Sequence, residues 1–341
     1  MESKKTKEIL LDIGSGAAMG VAAAIPGVSG GTVAVMTKVY DRHLDHMNGL
    51  RSKKIWSNLL ALLPLLCGII CGVIPAVILF NMAFKGFMFG IVSLFAGFII
   101  GGMPALFDEI KGKKIKPIYI VIGLITAVIA LLFGVLSVQF GDAIDISGNF
   151  NIVNGMYDVN GSVSWWIYLA LIPVGMIAAI ALIVPGISGS MILLVTGFYT
   201  PLLNTVDWWK EILKGNGTGA MVGSAIGIYL CLLVGILIGF FTIVKLMKFL
   251  LDKFRVESFY GIIGFVVGSF VSLFYNNEIY SYYQHWINPT EEFSNWMSMG
   301  AELGVAAVLL IVGIALSYLL VRYSRKHTTQ PSEIESTTSE E

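Results

Sequence analysis

The chain has 341 residues, 56% of them hydrophobic and 13% charged, and its 22 basic and 22 acidic side chains cancel to a formal net charge of zero. Soluble domains carry about 25% charged residues, so the composition excludes a soluble globular protein, and without a basic excess there is no footing for nucleic-acid binding. Lipid is the solvent these residues require, and an all-α integral membrane protein is the expected fold class.

Taken in chain order, Lys4, Lys5 and Lys7 lead into a segment bearing Glu8 and Asp12 rather than an uninterrupted apolar run, so a retained first segment is expected rather than a cleaved leader. Residues 9–40 form an apolar stretch about a span and a half long, broken by Pro26-Gly27-Val28-Ser29-Gly30-Gly31. Proline removes a backbone donor and glycine loosens the helix, so two half-helices meeting at a loop are predicted. Spans at 56–80, 86–107 and 117–138 follow, then an extracellular loop at 140–164. Residues 165–200 repeat the broken pattern around Pro185-Gly186-Ile187-Ser188-Gly189-Ser190. Spans at 220–246, 258–275 and 300–321 complete the set, and a Ser/Thr/Glu-rich tail at 323–341 is expected to be disordered in the cytoplasm. Cys67, Cys71 and Cys231 lie inside apolar runs and suggest neither disulfide nor metal. His43, His46, His285 and His327 fall in expected loops or the tail without metal-ligand spacing, so they receive no chemistry.

Counting Lys and Arg separates two topologies, because cytoplasmic loops carry the positive excess. If both broken segments return to the side they entered, 19 basic residues lie inside and only Lys85, Lys210 and Lys214 outside; if both cross, the count is 11 on each side. The re-entrant arrangement is therefore predicted, with both termini cytoplasmic. It makes residues 1–139 and 165–322 inverted repeats, each a re-entrant helical hairpin followed by three spans. At a constant offset of 159 residues, Pro26, Gly27, Ser29 and Gly30 match Pro185, Gly186, Ser188 and Gly189; Thr37, Tyr40 and Gly16 match Thr196, Tyr199 and Gly175.

Inverted repeats with broken helices at mid-depth are the architecture of secondary transporters. A helix N-terminus offers unpaired N–H donors and about half a positive charge, and glycine admits a bulky anion close to the backbone. Two such ends would hold a phosphate-sized group without a buried Arg or Lys. The expected site comprises Pro26, Gly27, Ser29, Gly30, Gly31 and Thr32 with Pro185, Gly186, Ser188, Gly189 and Ser190. Small residues also serve simply to bend and pack membrane helices. Lys38 is a candidate for headgroup attraction or for snorkelling, and Glu8 and Asp12 for ion coupling or as first-turn dipole partners, a reading shared by Glu302. No cofactor is expected; a proton and a sodium gradient are both compatible drivers. The oligomeric state is not encoded in these features.

The runs Ala22–Thr32 and Val184–Tyr199 resemble the bacterial polyprenyl-phosphate (undecaprenyl-phosphate) translocase family over about residues 8–323. The resemblance implies a lipid flippase that returns undecaprenyl phosphate, the carrier lipid of cell-wall biosynthesis, from the outer to the inner leaflet of the cytoplasmic membrane. It also implies that relatives often carry Asp or Asn where this chain has Ala23. The competing enzyme reading is an undecaprenyl-pyrophosphate phosphatase, which also uses inverted repeats with Pro-Gly-Ser loops. Phosphoryl transfer needs a basic group and an acid or nucleophile, and neither loop contains Arg, Lys, His, Asp or Glu. Transport of another anion is the third reading.

Overall fold

The computed structural model describes residues 2–23, 30–83, 87–140, 146–153, 156–157, 163–183, 192–193, 195–275, 277–287 and 299–327. Six helices are long and apolar enough to cross a membrane: α4 (Ile55–Ala83), α5 (Met88–Asp108), α6 (Pro117–Phe140), α9 (Gly219–Lys253), α10 (Arg255–Leu273) and α12 (Met299–His327). They match the six spans expected from hydropathy, and α12 continues past the expected start of the tail as far as His327. Large apolar side chains stay exposed along them, including Leu63 and Ile70 on α4, Leu124 and Val128 on α6, and Leu230 and Leu237 on α9. Such surfaces are stable only against lipid. The chain is a multi-pass membrane protein.

The other helices are α1 (Glu2–Ala23), α2 (Gly30–Met36), α3 (Tyr40–Gly49), α7 (Trp165–Ile183), α8 (Tyr199–Leu213) and α11 (Asn277–Ile287). A 3-10 turn at Ser147–Phe150 and a two-residue antiparallel pairing of Ile152–Val153 with Met156–Tyr157 interrupt the connection before α7. Three stretches taken as loops thus hold helices, α3, α8 and α11. Each is too short to register as a span, and amphipathicity accounts for α8. Pro201, Leu202, Thr205 and Trp208 are buried there, while Asp207–Lys210 and Glu211–Lys214 pair at 2.6 Å on the exposed side.

The half-helix α2 is shorter than the expected 29–40, and the same device ends it in both halves. Thr37 Oγ1 donates back to the carbonyls of Val33 and Ala34 at 2.9 and 3.3 Å, and Lys38 follows with φ +58°. In the second half Thr196 Oγ1 donates to Ile192 and Leu193 at 2.8 and 3.1 Å, and Gly197 has φ +77°. A left-handed residue stops a helix by turning its last carbonyls out of register, and the next helices begin at Tyr40 and Tyr199.

The helices sort into two compact units. One contains α1–α5 and α12. The other contains α6–α11. In the first, α1 packs along α4 and α5 along α12; in the second, α7 packs along α9 and α6 along α10. Each pairing is a glycine contact so close that an added Cβ would overlap the neighbouring backbone. Gly68 and Gly72 of α4 lie on the carbonyls of Ile13 and Ala17, and Gly235 and Gly239 of α9 lie on those of Ile172 and Met176. The α1 and α7 partners keep the 159-residue offset, and the α4 and α9 glycines share another (235 − 68 = 239 − 72 = 167). The third helices obey the same rule. Gly97 and Gly101 of α5 lie on Leu310 and Ile314 of α12, as Gly264 and Gly268 of α10 lie on Gly123 and Ala127 of α6. Without a hydrophobic drive between helices in lipid, such close backbone packing supplies the association. Each unit thus contains one helix from the other sequence half, α12 in the first and α6 in the second.

Candidate functional site

Of the expected phosphate-binding residues, Pro26, Gly27, Ser29, Pro185, Gly186, Ser188, Gly189 and Ser190 lie outside the described residues. Gly30, Gly31 and Thr32 open α2. A Cβ on Gly30 would meet Met19 of α1 at 3.5 Å, ordinary contact distance, so the start of α2 lies against the middle of α1. Gly31 and Thr32 are buried, and the Thr32 hydroxyl has no hydrogen-bond partner among the described residues.

Asp12 sits in the middle of α1, which begins at Glu2, and therefore is not the first-turn dipole partner its sequence position suggests. It is 6% exposed. The Arg42 guanidinium pairs with Asp12 Oδ1, and His43 Nε2 lies 3.0 Å from the same oxygen. A carboxylate only accepts, so Nε2 carries the hydrogen, leaving Nδ1 of this 3% exposed ring buried without a partner among the described residues. Ser15, one turn beyond Asp12, is also fully buried, and its hydroxyl has no partner among the described residues. Glu8 is half-buried one turn before. Asp12, Ser15 and Met19 fall on one helical face, turned toward the other arm of the hairpin. Contacts mark both ends of this face: Asp12 meets α3, and Met19 meets Gly30.

Lys38 is not a free cation. Its Nζ lies 3.3 Å from Asp108 Oδ2 at the end of α5, and Arg325 near the end of α12 reaches the same oxygen through Nε at 2.8 Å and Nη2 at 2.7 Å. The cluster ties the end of the first hairpin to both helices of the α5–α12 pair. Glu302 lies in the first turn of α12, as its sequence position suggests, and is fully buried, its Oε1 accepting the Phe89 N–H at 2.9 Å. That N–H belongs to the first turn of α5, so Glu302 caps a different helix from its own.

His43 escaped sequence reasoning because residues 38–54 read as a loop. The signal that finds it is the 159-residue offset. Asp12, Ser15 and His43 align with Leu171, Val174 and Leu202, which belong to one buried apolar cluster with Phe198 and Trp208. A polar residue at a position its repeat mate fills with a buried aliphatic side chain marks a place where packing alone does not require polarity.

Comparison with known proteins completes the description. Residues 19–289 match the model of the VCA0040-like family, described as undecaprenyl phosphate translocase-like. A polyprenyl-phosphate transporter of Staphylococcus aureus is 29% identical over 77% of this chain and 86% of its own length. A polyprenyl-phosphate transporter of Vibrio cholerae is 25% identical over 94% of this chain and 99% of its own. No solved structure gives a significant match. These relatives are named as transporters and not as enzymes, in agreement with loops that lack phosphoryl-transfer groups. With a family match that takes in both Pro-Gly motif copies and five of the six spans, the chain belongs to the undecaprenyl phosphate translocase-like family.

Proposed function

We propose that the protein is a lipid flippase returning undecaprenyl phosphate from the outer to the inner leaflet of the bacterial cytoplasmic membrane, with the phosphate held between the two Pro-Gly-Ser loops. The observation that carries the reading is the family match over residues 19–289, which contains both motif copies. The segments that leave the two loops also end alike, at Thr37-Lys38 and Thr196-Gly197, as two halves of one binding device would. Positive-inside counting supports insertion of the two hairpins from opposite faces with cytoplasmic termini.

Purified protein in liposomes is expected to equilibrate a labelled polyprenyl phosphate between leaflets without ATP; no acceleration over empty liposomes sinks the reading. Phosphate release from the pyrophosphate lipid would replace it with the phosphatase. A hydrogen bond to a charged group contributes roughly 1.5–3 kcal/mol, so Ser29→Ala or Ser188→Ala weakens phosphate binding about tenfold to a hundredfold. The double variant loses less than the sum, because both loops hold one ligand. A cysteine at Thr329 is expected to resist an impermeant thiol reagent in intact cells.

A further inference from the structure

We propose that Asp12, Arg42 and His43 form a proton-binding site, unique to the first hairpin, whose occupancy tunes how that hairpin holds an anion. The site takes a proton at His43 Nδ1. Nε2 is committed to Asp12 at 3.0 Å, Arg42 balances the carboxylate, and Nδ1 is buried with an unpaired lone pair among the described residues. Protonation breaks no other bond and takes the trio from zero to one net positive charge. Buried polar atoms without partners are costly, and the fold does not need them here. At the positions of Asp12, Ser15 and His43 the second hairpin places Leu171, Val174 and Leu202 in an apolar cluster. The backbone scaffold is common to both, so the polarity serves something other than folding.

The surroundings leave His43 Nδ1 as the open position of the trio. On α1 the nearest ionisable neighbour is Glu8, one turn from Asp12. On α3, His46 has its ring centroid 6.5 Å from that of His43, and its Nδ1 is engaged by Asn58 of α4 at 3.0 Å. Asp41 and Asp45 occupy the less buried positions of α3. Burial, with a smaller contribution from Asp41, pushes the Tyr40 phenol far above its usual range, so it stays neutral. Lys38 is engaged by Asp108 of α5. A metal cation is the poorer occupant, because Arg42 already neutralises the carboxylate. From this site the face runs through Ser15 to Met19, which meets Gly30 at the start of α2. Added positive charge here strengthens the hold of that hairpin on an anion.

The proposal deepens the transport reading, and its test separates the two. The first readout needs no transport: histidine NMR of the full-length protein in detergent, with His43 assigned by its loss in His43→Gln, across about pH 5 to 8, where imidazoles change charge. His43 is expected to titrate in that window, and its midpoint to move in Asp12→Asn. A His43 signal that does not titrate there, or one indifferent to Asp12→Asn, overturns the proposal whatever the protein transports. The second readout is leaflet exchange of labelled polyprenyl phosphate in liposomes at each pH. Because a phosphate monoester itself ionises near pH 6, parent and variant are compared at the same pH. The parent-to-variant ratio for His43→Gln is expected to grow about three- to tenfold on acidification. The Asp12→Leu/His43→Leu pair, which places leucines where the second hairpin has Leu171 and Leu202, is expected to behave as His43→Gln does. A ratio constant with pH overturns the proposal; absence of exchange in every protein refutes the transport reading and leaves the NMR result to decide this one.

Discussion

The two segments read from the sequence as hairpins share a set of backbone contacts and are filled with opposite chemistry. Each first arm crosses its long partner on a pair of glycines, each second arm ends at a back-bonding threonine followed by a left-handed residue, and each next helix begins at a tyrosine. Within that plan the second hairpin buries Leu171, Val174 and Leu202, whereas the first buries Asp12, Ser15 and His43. At the left-handed turn the second hairpin uses Gly197, which adopts that conformation freely, and the first uses Lys38, which does not. What is shared reports what the fold requires. What differs reports what one hairpin does that the other does not.

The comparison breaks most violently at its shared positions. Gly72→Val and Gly239→Val each drive a branched side chain into the carbonyl they cover, on Ala17 and Met176, and each is expected to cost more than about 3 kcal/mol. Loss of a monodisperse, cooperatively unfolding protein in detergent would be seen for both, and survival of one alone would show that the contacts are not equivalent. Next come the polar positions. Asp12→Leu strands Arg42 and His43 and is expected to destabilise by about 2–4 kcal/mol. Adding His43→Leu should restore most of it; a double variant no better than the single would mean that the apolar packing of the second hairpin does not transfer.

Smaller effects sharpen the turn. Gly197→Ala places a Cβ in a left-handed residue and should lower stability by about 1 kcal/mol. Lys38→Gly relieves that strain while releasing Asp108 to Arg325 alone, so its thermal midpoint should stay within a degree or two of the parent, on the order of 0.5 kcal/mol. Smallest of all, Thr37→Val and Thr196→Val remove matched back-bonds and should cost roughly 0.5–1 kcal/mol each. Unequal losses in a chemical denaturation series would assign one threonine a second role.

Hydropathy located the six spans within a few residues because crossing lipid demands long apolar runs. The short helices α3 and α8 stayed hidden because ten to fifteen amphipathic residues leave no hydropathy signal at span length. With α3 hidden, His43 could not be placed beside Asp12, since that contact joins residues 31 positions apart. The ion cluster of Lys38, Asp108 and Arg325 was equally unreadable, because Asp108 and Arg325 are 217 positions apart and no local pattern links them.

The exchange of third helices sets an order of events during synthesis. The face of α5 bearing Gly97 and Gly101 lies, among the described residues, against α12, the last of their helices. Roughly 190 residues separate the two, which at ordinary translation rates leaves that face open for about 10–40 s. The unit begun first is therefore the one finished last, while α6–α11 have all their pairings as soon as they are made. A ribosome stalled before residue 299 would leave one unit complete and the other exposing its glycine face to any passing helix, as an early target for membrane quality control.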